Sequence, residues 1–300
     1  MHLSLVFGAL LQTAHQGLSL RYQYYAHVAG ILLDAGSYRA LKRVLERPGL
    51  EPLVRARPDL ARKYLWPCFA RRFERRRRLE VMMSHYQIVA DGTPRSFMGG
   101  LLERPRRLWE QHENGTRYAI SLEYPPRRWD LEGELSLMFE MDGVPLYRLL
   151  LTLADGSAFD RPERRVLFVG AVQGNNGLFD SIREATRALG DVAPRTLLLA
   201  ATAGLAGAFD VDAMLAVGND RHITRHATPS EKFPFDYDQF WLEMGGMPSD
   251  GFFVLSIPLP EKPIGMVTAT HRRRAIQRRV MRDAVSQQVR ERMDAILRGG

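Results

Sequence analysis

The stretch from Arg164 to Asp220 limits what this chain can fold into more than any other. Arg165-Val-Leu-Phe-Val-Gly-Ala-Val172 is a short, nearly continuous apolar run rich in β-branched residues, the pattern of a strand buried on both faces. It ends at Gln173-Gly-Asn-Asn-Gly177, the one glycine-rich turn set between a buried strand and a helix. Helical spacing follows through Leu178, Ile182, Ala185 and Leu189, a second helix begins after Pro194, and Val211 to Val217 reads as a second buried strand closed by Gly218-Asn219-Asp220. Strand, crossover and strand predict a parallel pair in the middle of a sheet, because two parallel neighbours need a long connection.

Glycine and asparagine tolerate left-handed backbone angles, and the unpaired N–H groups of a helix start attract anions. The segment Val172, Gln173, Gly174, Asn175, Asn176 and Gly177 is therefore a candidate cradle for a phosphate-bearing group. Its G-x-x-G spacing is neither a P-loop nor a dinucleotide fingerprint, and a strand-to-helix turn with no ligand suits the same residues.

The ninety N-terminal residues read as helical and hold no catalytic constellation. Apolar residues recur at helical spacing from Leu18 to about Val44, and Phe69 to Val89 reads as one long helix with Arg71, Arg75 and Arg78 on its solvated side. The period then changes. Leu108–Glu113, Arg117–Tyr124, Leu131–Glu140 and Leu146–Leu153 favour strands, and Asn114-Gly115 and Asp142-Gly143 are strong hairpin signals between them. An antiparallel meander thus leads into the buried strand. Past Asp220 come a loop, a short helix from Asp236 to Met244, a strand from Phe252 to Ile257, and a basic terminal helix from His271 with Ile276, Val280, Ala284, Met293 and Ile296 as its inner face. The expected class is α/β (α+β): a mixed sheet of meander plus parallel pair over residues 93–300, with a helical region over residues 1–92.

With 45% apolar residues in 300, the chain is long enough to bury one large core or two modest ones. No apolar run reaches the roughly 20 residues of a membrane span, and the first residues lack the marks of a signal peptide, so a cytoplasmic protein is expected. The single Cys68, beside Trp66 and Phe69, fits a packed residue better than a nucleophile. Arginine carries the net charge of +8, with Lys42, Lys63, Lys232 and Lys262 as the lysines, which favours an acidic partner. Nucleic acid is a weaker candidate, because the basic terminal helix lacks interleaved aromatics for stacking.

Several segments together resemble the VirK/YbjX family, a bacterial domain family of undefined function. They are Ser84-His85-Tyr86, Val169-Gly-Ala-Val-Gln-Gly174, the helix start at Pro194-Arg-Thr, Val217-Gly-Asn219, the box Asp236-Tyr-Asp-Gln-Phe-Trp241 with Gly245-Gly246, and the arginine-rich last helix. The order of meander, central strand, helix and parallel strand also resembles the GNAT acyltransferase superfamily, which implies a GNAT-like sheet. In that fold the central strand splays from the next, and acyl-CoA lies in the notch with its pyrophosphate on a helix start. Two helix starts compete for that role here: the turn Gln173 to Gly177, and Pro194-Arg195-Thr196 before the apolar helix to Phe209, which would line an acyl channel. The superfamily's usual loop consensus is absent.

The resemblance implies transfer of an acyl group from acyl-CoA or an acyl carrier protein to an amine of a peptide or small molecule, with the thioester as co-substrate and no tightly bound cofactor. Such a transfer needs a base, an oxyanion donor and an acid for the thiolate, and no metal. His222 is the expected base, oriented by Asp220, at the carboxyl end of the parallel pair where crevices form. Glu134 or Glu140, on one face of the third strand by their even separation, are alternatives, and Tyr237 would protonate the leaving thiolate. The i, i+4 pair His222 and His226 is the weaker metal reading, because Thr228-Pro229 discourages a helix there. The alternative function is a non-catalytic, VirK-like binding or envelope-related factor on an acyltransferase-like scaffold.

Overall fold

A computed structural model describes residues 34–223, 235–261 and 263–299. Eight strands form one mixed sheet: β1 Arg106–Glu113, β2 Thr116–Glu123, β3 Leu135–Met141, β4 Val144–Asp155, β5 Arg165–Gly174, β6 Ala213–Val217, β7 Met247–Ser249 and β8 Phe252–Ser256. Their order across the sheet is β1-β2-β3-β4-β5-β6-β8-β7. The first five are antiparallel neighbours, β5 and β6 are parallel, and β8 runs antiparallel to both β6 and β7. The protein is thus a mixed α/β structure. Asn114-Gly115 and Asp142-Gly143 turn two hairpins with positive φ at all four residues, the geometry that these dipeptides adopt readily. Asp250-Gly251 does the same between β7 and β8 (φ 48° and 77°), a strand pair whose first member is too short to show a period in the sequence.

The helices are α1 Ala35–Leu45, α2 Glu51–Ala56, α3 Arg75–Gly92, α4 Ser96–Glu103, α5 Phe179–Ala188, α6 Pro194–Ala208, α7 Tyr237–Glu243 and α8 Ala269–Leu297. A single hydrophobic core runs from Leu41 and Leu53 among the first helices, through Leu149 and Phe168 on the sheet, to Leu198 on α6 and Val289 on α8. Helix α3 packs on β4; α6 packs on β3, β4 and β5 and is covered in turn by α8. The apolar character of α6 follows from burial on both sides. At Gly204 the two helices meet so closely that a Cβ would lie 2.1 Å from the Ser286 carbonyl oxygen. That position makes α6 a core helix.

Three expectations are corrected. The helix expected from Phe69 begins only at Arg75, because Phe69 and Arg72 take left-handed angles (φ 68° and 64°) and the Phe69 N–H donates to the Leu131 carbonyl across the fold. The third strand starts at Leu135 instead of Leu131, which leaves Asp130 to Glu134 irregular. The buried face of α8 is Val285, Val289 and Met293, while Ile276 and Val280 are exposed, because the helix touches α6 and β1 only along its later turns. The sequence reading of residues 18–33 as helix lies outside the described residues.

Candidate functional site

The parallel pairing of β5 with β6 runs from Val166 opposite Ala213 to Val169 opposite Ala216 and stops there, although β5 continues to Gly174. β6 itself ends at Val217, and β5 carries an irregularity one residue past the last pair. In the β4–β5 ladder Leu151 faces Val169 and Leu150 faces Ala171, so Gly170 is a bulged residue with no partner across the ladder. Backbone presses on it from outside: a Cβ on Gly170 would lie 1.9 Å from the carbonyl oxygen of Glu132. Only glycine admits so close an approach. Beyond the bulge β5 remains bonded to β4, while β6 ends at Val217, so no strand pairs with the other edge of β5 there.

One hydroxyl closes that edge. The Val172 N–H donates to the Tyr237 oxygen at 3.1 Å, and the Tyr237 O–H donates to the Val172 carbonyl at 3.2 Å. Tyr237 is held there by the box from Asp236 to Trp241. Asp236 caps α7 by accepting from the Gln239 N–H (3.1 Å), and Asn219 bridges the two elements, donating its amide to Asp236 (2.8 Å) and accepting from the Tyr237 N–H (2.9 Å). Asp238 accepts from the Asn219 N–H at 2.7 Å, and the Trp241 indole N–H donates to the Val217 carbonyl at 2.8 Å. The box is therefore a clamp on the end of β6.

His222 lies against this clamp, with its ring centroid 4.5 Å from that of Tyr237 and its backbone N–H donating to the Gly218 carbonyl at 3.0 Å. Its Nε2 stands 3.8 Å from Oε1 of Glu132, and the Gln173 amide reaches the same oxygen at 3.5 Å. Both side chains are buried, 0% and 2% exposed, so the carboxylate and imidazole interact in a low-dielectric setting. Glu132 is the acid that the sequence reading missed. It precedes the strand rather than lying in it, so no periodicity marks it, and the close packing of Gly133 beside it, where a Cβ would meet the Leu151 backbone nitrogen at 2.8 Å, shows only in the fold.

The other expected residues are dispersed. Asp220, expected to orient His222, is half-exposed and pairs with Arg72 at 3.1 Å, because the turn after β6 points its side chain at the Arg71–Arg72 segment. Glu134 is fully buried on the Lys63 ammonium at 2.5 Å and accepts from the Tyr86 hydroxyl. Glu140 pairs with Arg117 at 3.2 Å and Arg107 at 3.5 Å. Neither glutamate faces the notch: Glu134 lies outside β3, and a register irregularity between Phe139 and Glu140 breaks the even spacing. Gln173 and Gly174 belong to the β4 ladder, the Asn175 N–H donates to the Leu146 carbonyl at 2.9 Å, and Asn176 and Gly177 form an exposed turn. Arg195 opens α6 with its guanidinium 5.7 Å from the Phe240 ring centroid, which brings the α6 start beside α7; Thr196 is bonded through its N–H to the Ala193 carbonyl at 2.8 Å. His226 lies outside the described residues.

The irregular segment Asp130 to Glu134 also supplies a second buried network. Asp130 accepts from Arg57 at 2.7 Å and Arg57 reaches the Tyr124 hydroxyl at 3.3 Å, while Glu134 accepts from the Tyr86 hydroxyl and from Lys63. Burial pushes the Tyr86 phenol well above its ordinary range, and burial likewise pushes the nearby Cys68 thiol up to about 12, which keeps it protonated and unreactive at neutral pH.

A family model described as "Protein of unknown function (DUF535)" matches residues 18–291. The chain belongs to this family. It is 25% identical over 251 residues to the "Uncharacterized protein YbjX" of Escherichia coli (strain K12), an alignment that covers 81% of this chain and 74% of that relative. No solved structure matches the chain. Within the described residues no helix is long and apolar enough to cross a membrane.

Proposed function

We propose that this protein is a non-catalytic binding factor built on an acyltransferase-like scaffold. The observation that carries the reading is the seal on β5: the Val172 N–H, the backbone donor at the open edge that a thioester oxygen would need, is already bonded to the Tyr237 hydroxyl. Donors serve an oxyanion only when they are aimed at where its charge develops. The imidazole that would act as base is 0% exposed beneath the same clamp, with Glu132 and not Asp220 beside it. Fold alone carries no activity.

A second reading, amine acylation from acyl-CoA or an acyl carrier protein on a GNAT-like core, is favoured by one specific feature. The parallel pairing ends at Val169 and Ala216 while β5 runs on to Gly174, and the α6 start with Arg195 lies beside α7, which carries Tyr237. In this reading Tyr237 and His222 move apart when the thioester enters, the Val172 N–H holds its oxygen, His222 takes the amine proton as the nitrogen bonds the acyl carbon, and the C–S bond breaks with the thiolate protonated by Tyr237.

Calorimetric titration of the whole protein with acyl-CoAs and acylated carrier proteins, followed by an assay with peptide and small amines, separates the two. The binding-factor reading expects no turnover from the wild type or from Tyr237→Phe. Turnover that falls roughly 10²- to 10⁴-fold in His222→Ala with donor affinity nearly unchanged would overturn it in favour of catalysis.

A further inference from the structure

We infer that the cleft between the start of β1 and the last turns of α8 is a binding site for a phosphate-bearing ligand. It has a volume of about 410 Å³ and is lined by Arg104, Arg106, Arg107 and Arg292 with Pro105 and Ile296 as its apolar walls. No acidic residue lines it. Arg107 is neutralised elsewhere, through Glu110 and, at 3.5 Å, Glu140. The side chains of Arg104, Arg106 and Arg292 make no ion pair or side-chain hydrogen bond among the described residues, so three guanidiniums from two distant parts of the chain converge without a counter-charge. Other arginines of the fold do find one, as Arg57 on Asp130, Arg117 on Glu140 and Arg282 on Glu261 illustrate.

Two milder explanations account for part of this arrangement. Positive side chains on an outer strand discourage edge-to-edge pairing, and β1 is an outer strand; a cation at the end of α4 suits the helix dipole, and Arg104 sits there. Neither applies to Arg292, which comes from α8, and neither explains Gly100. A Cβ on Gly100 would lie 2.1 Å from a terminal nitrogen of Arg106, so the glycine leaves open the space in which that guanidinium rests. Glycine weakens a helix interior by about 1 kcal/mol relative to alanine, and here it sits in the short α4 beside Gly99. At Gly100 the absence of a side chain leaves room for an unpaired arginine.

The chemistry that this cleft recognises is the planar, bidentate pairing of guanidinium with phosphate oxygens, in a site where mutual repulsion of like charges is relieved when a dianion enters. The site lies on the β1 edge of the sheet, at the opposite side from β6 and the Tyr237 clamp, so it stands independently of the functional reading given above.

Two probes decide the matter and distinguish the source of the phosphate. Inorganic pyrophosphate is titrated into the whole protein by calorimetry at low salt, and vesicles of phosphatidylcholine with and without phosphatidic acid are tested by co-sedimentation. Binding of pyrophosphate identifies a soluble ligand, binding only of the phosphatidic acid vesicles identifies a lipid headgroup, and either supports the site. In both cases Arg106→Gln and Arg292→Gln should each weaken binding at least tenfold, and Gly100→Ala, which keeps every charge but displaces Arg106, should weaken it several-fold. Arg292 is exposed and Gly100 and Arg106 are half-buried, so a thermal melt of each variant accompanies the titrations and separates lost binding from lost fold. Failure of both probes to bind, or binding that these variants leave at wild-type strength, overturns the proposal.

Discussion

The hydroxyl of Tyr237 bonds both backbone groups of Val172, N–H at 3.1 Å and carbonyl at 3.2 Å, and so takes the place of a neighbouring strand at the point where β5 and β6 separate. Replacing Tyr237 by phenylalanine keeps the ring on His222 but leaves two buried backbone groups without that partner. The expected loss is about 1–3 kcal/mol of unfolding free energy, read by urea denaturation, with faster hydrogen exchange at the Val172 amide. Unchanged exchange there would mean that the hydroxyl does not seal the edge.

Gly170 should not accept a side chain. A Cβ would meet the Glu132 carbonyl at 1.9 Å, and backbone cannot move aside as a side-chain end can. Gly170→Ala is expected to destabilise by about 1–3 kcal/mol or more, the range of overpacked cores. Gly36→Ala, at a helical position with nothing within 4 Å of the new methyl, is the matched control and should be neutral or slightly stabilising. Denaturant midpoints of the two variants give the comparison.

Lys63 and Glu134 form a buried pair at 2.5 Å, with side chains 6% and 0% exposed. Lys63→Met leaves the carboxylate buried without its cation and should cost about 3–5 kcal/mol, whereas adding Glu134→Gln to the same chain should recover much of the loss. A double variant no more stable than Lys63→Met alone would show that the lysine acts through packing on Phe69 rather than through charge.

His85 sits fully buried with Nδ1 accepting from the Leu153 N–H at 3.2 Å, and burial pushes its pKa down to about 3 from the ordinary 6.5. The sign follows from proton uptake. Below pH 6.5 the unfolded chain binds a proton that the folded chain refuses, so stability falls as pH falls from about 6.5 toward 3, by up to roughly 1.4 kcal/mol per pH unit. Asp59 adds to this only at lower pH, because its carboxyl is held below the ordinary range by the hydrogen bond from Arg57. Stability measured between pH 4.5 and 6.5 should therefore show a slope that His85→Gln removes.

Much of the sheet was legible in the sequence because its signals are local. Asn114-Gly115 and Asp142-Gly143 require left-handed angles at neighbouring residues, and the run from Val166 to Val172 has no face that could meet water; both constraints act within a few residues. The site was legible in its parts but not in its pairings. His222 and Tyr237 were singled out and do meet, yet the carboxylate with them is Glu132, ninety residues earlier and outside any periodic element. Asp220 looked like the partner through adjacency in sequence, but a turn sends neighbouring side chains in different directions, and Arg72 was there to receive it.

By itself the sequence determined the strands of the meander apart from the start of β3, two hairpin turns, the parallel pair and the apolar crossover helix, since each follows from periodicity and from the angles that glycine, asparagine and proline permit. Only the tertiary structure decided where β5 leaves β6 and what fills the gap. That outcome depends on backbone contacts between remote segments, Glu132 on Gly170 and Tyr237 on Val172, and a contact of this kind leaves no period in either segment. The same holds for the face of α8. Its apolar residues occur on more than one side, and burial of Val285, Val289 and Met293 in place of Ile276 and Val280 was settled by where α6 and β1 lie.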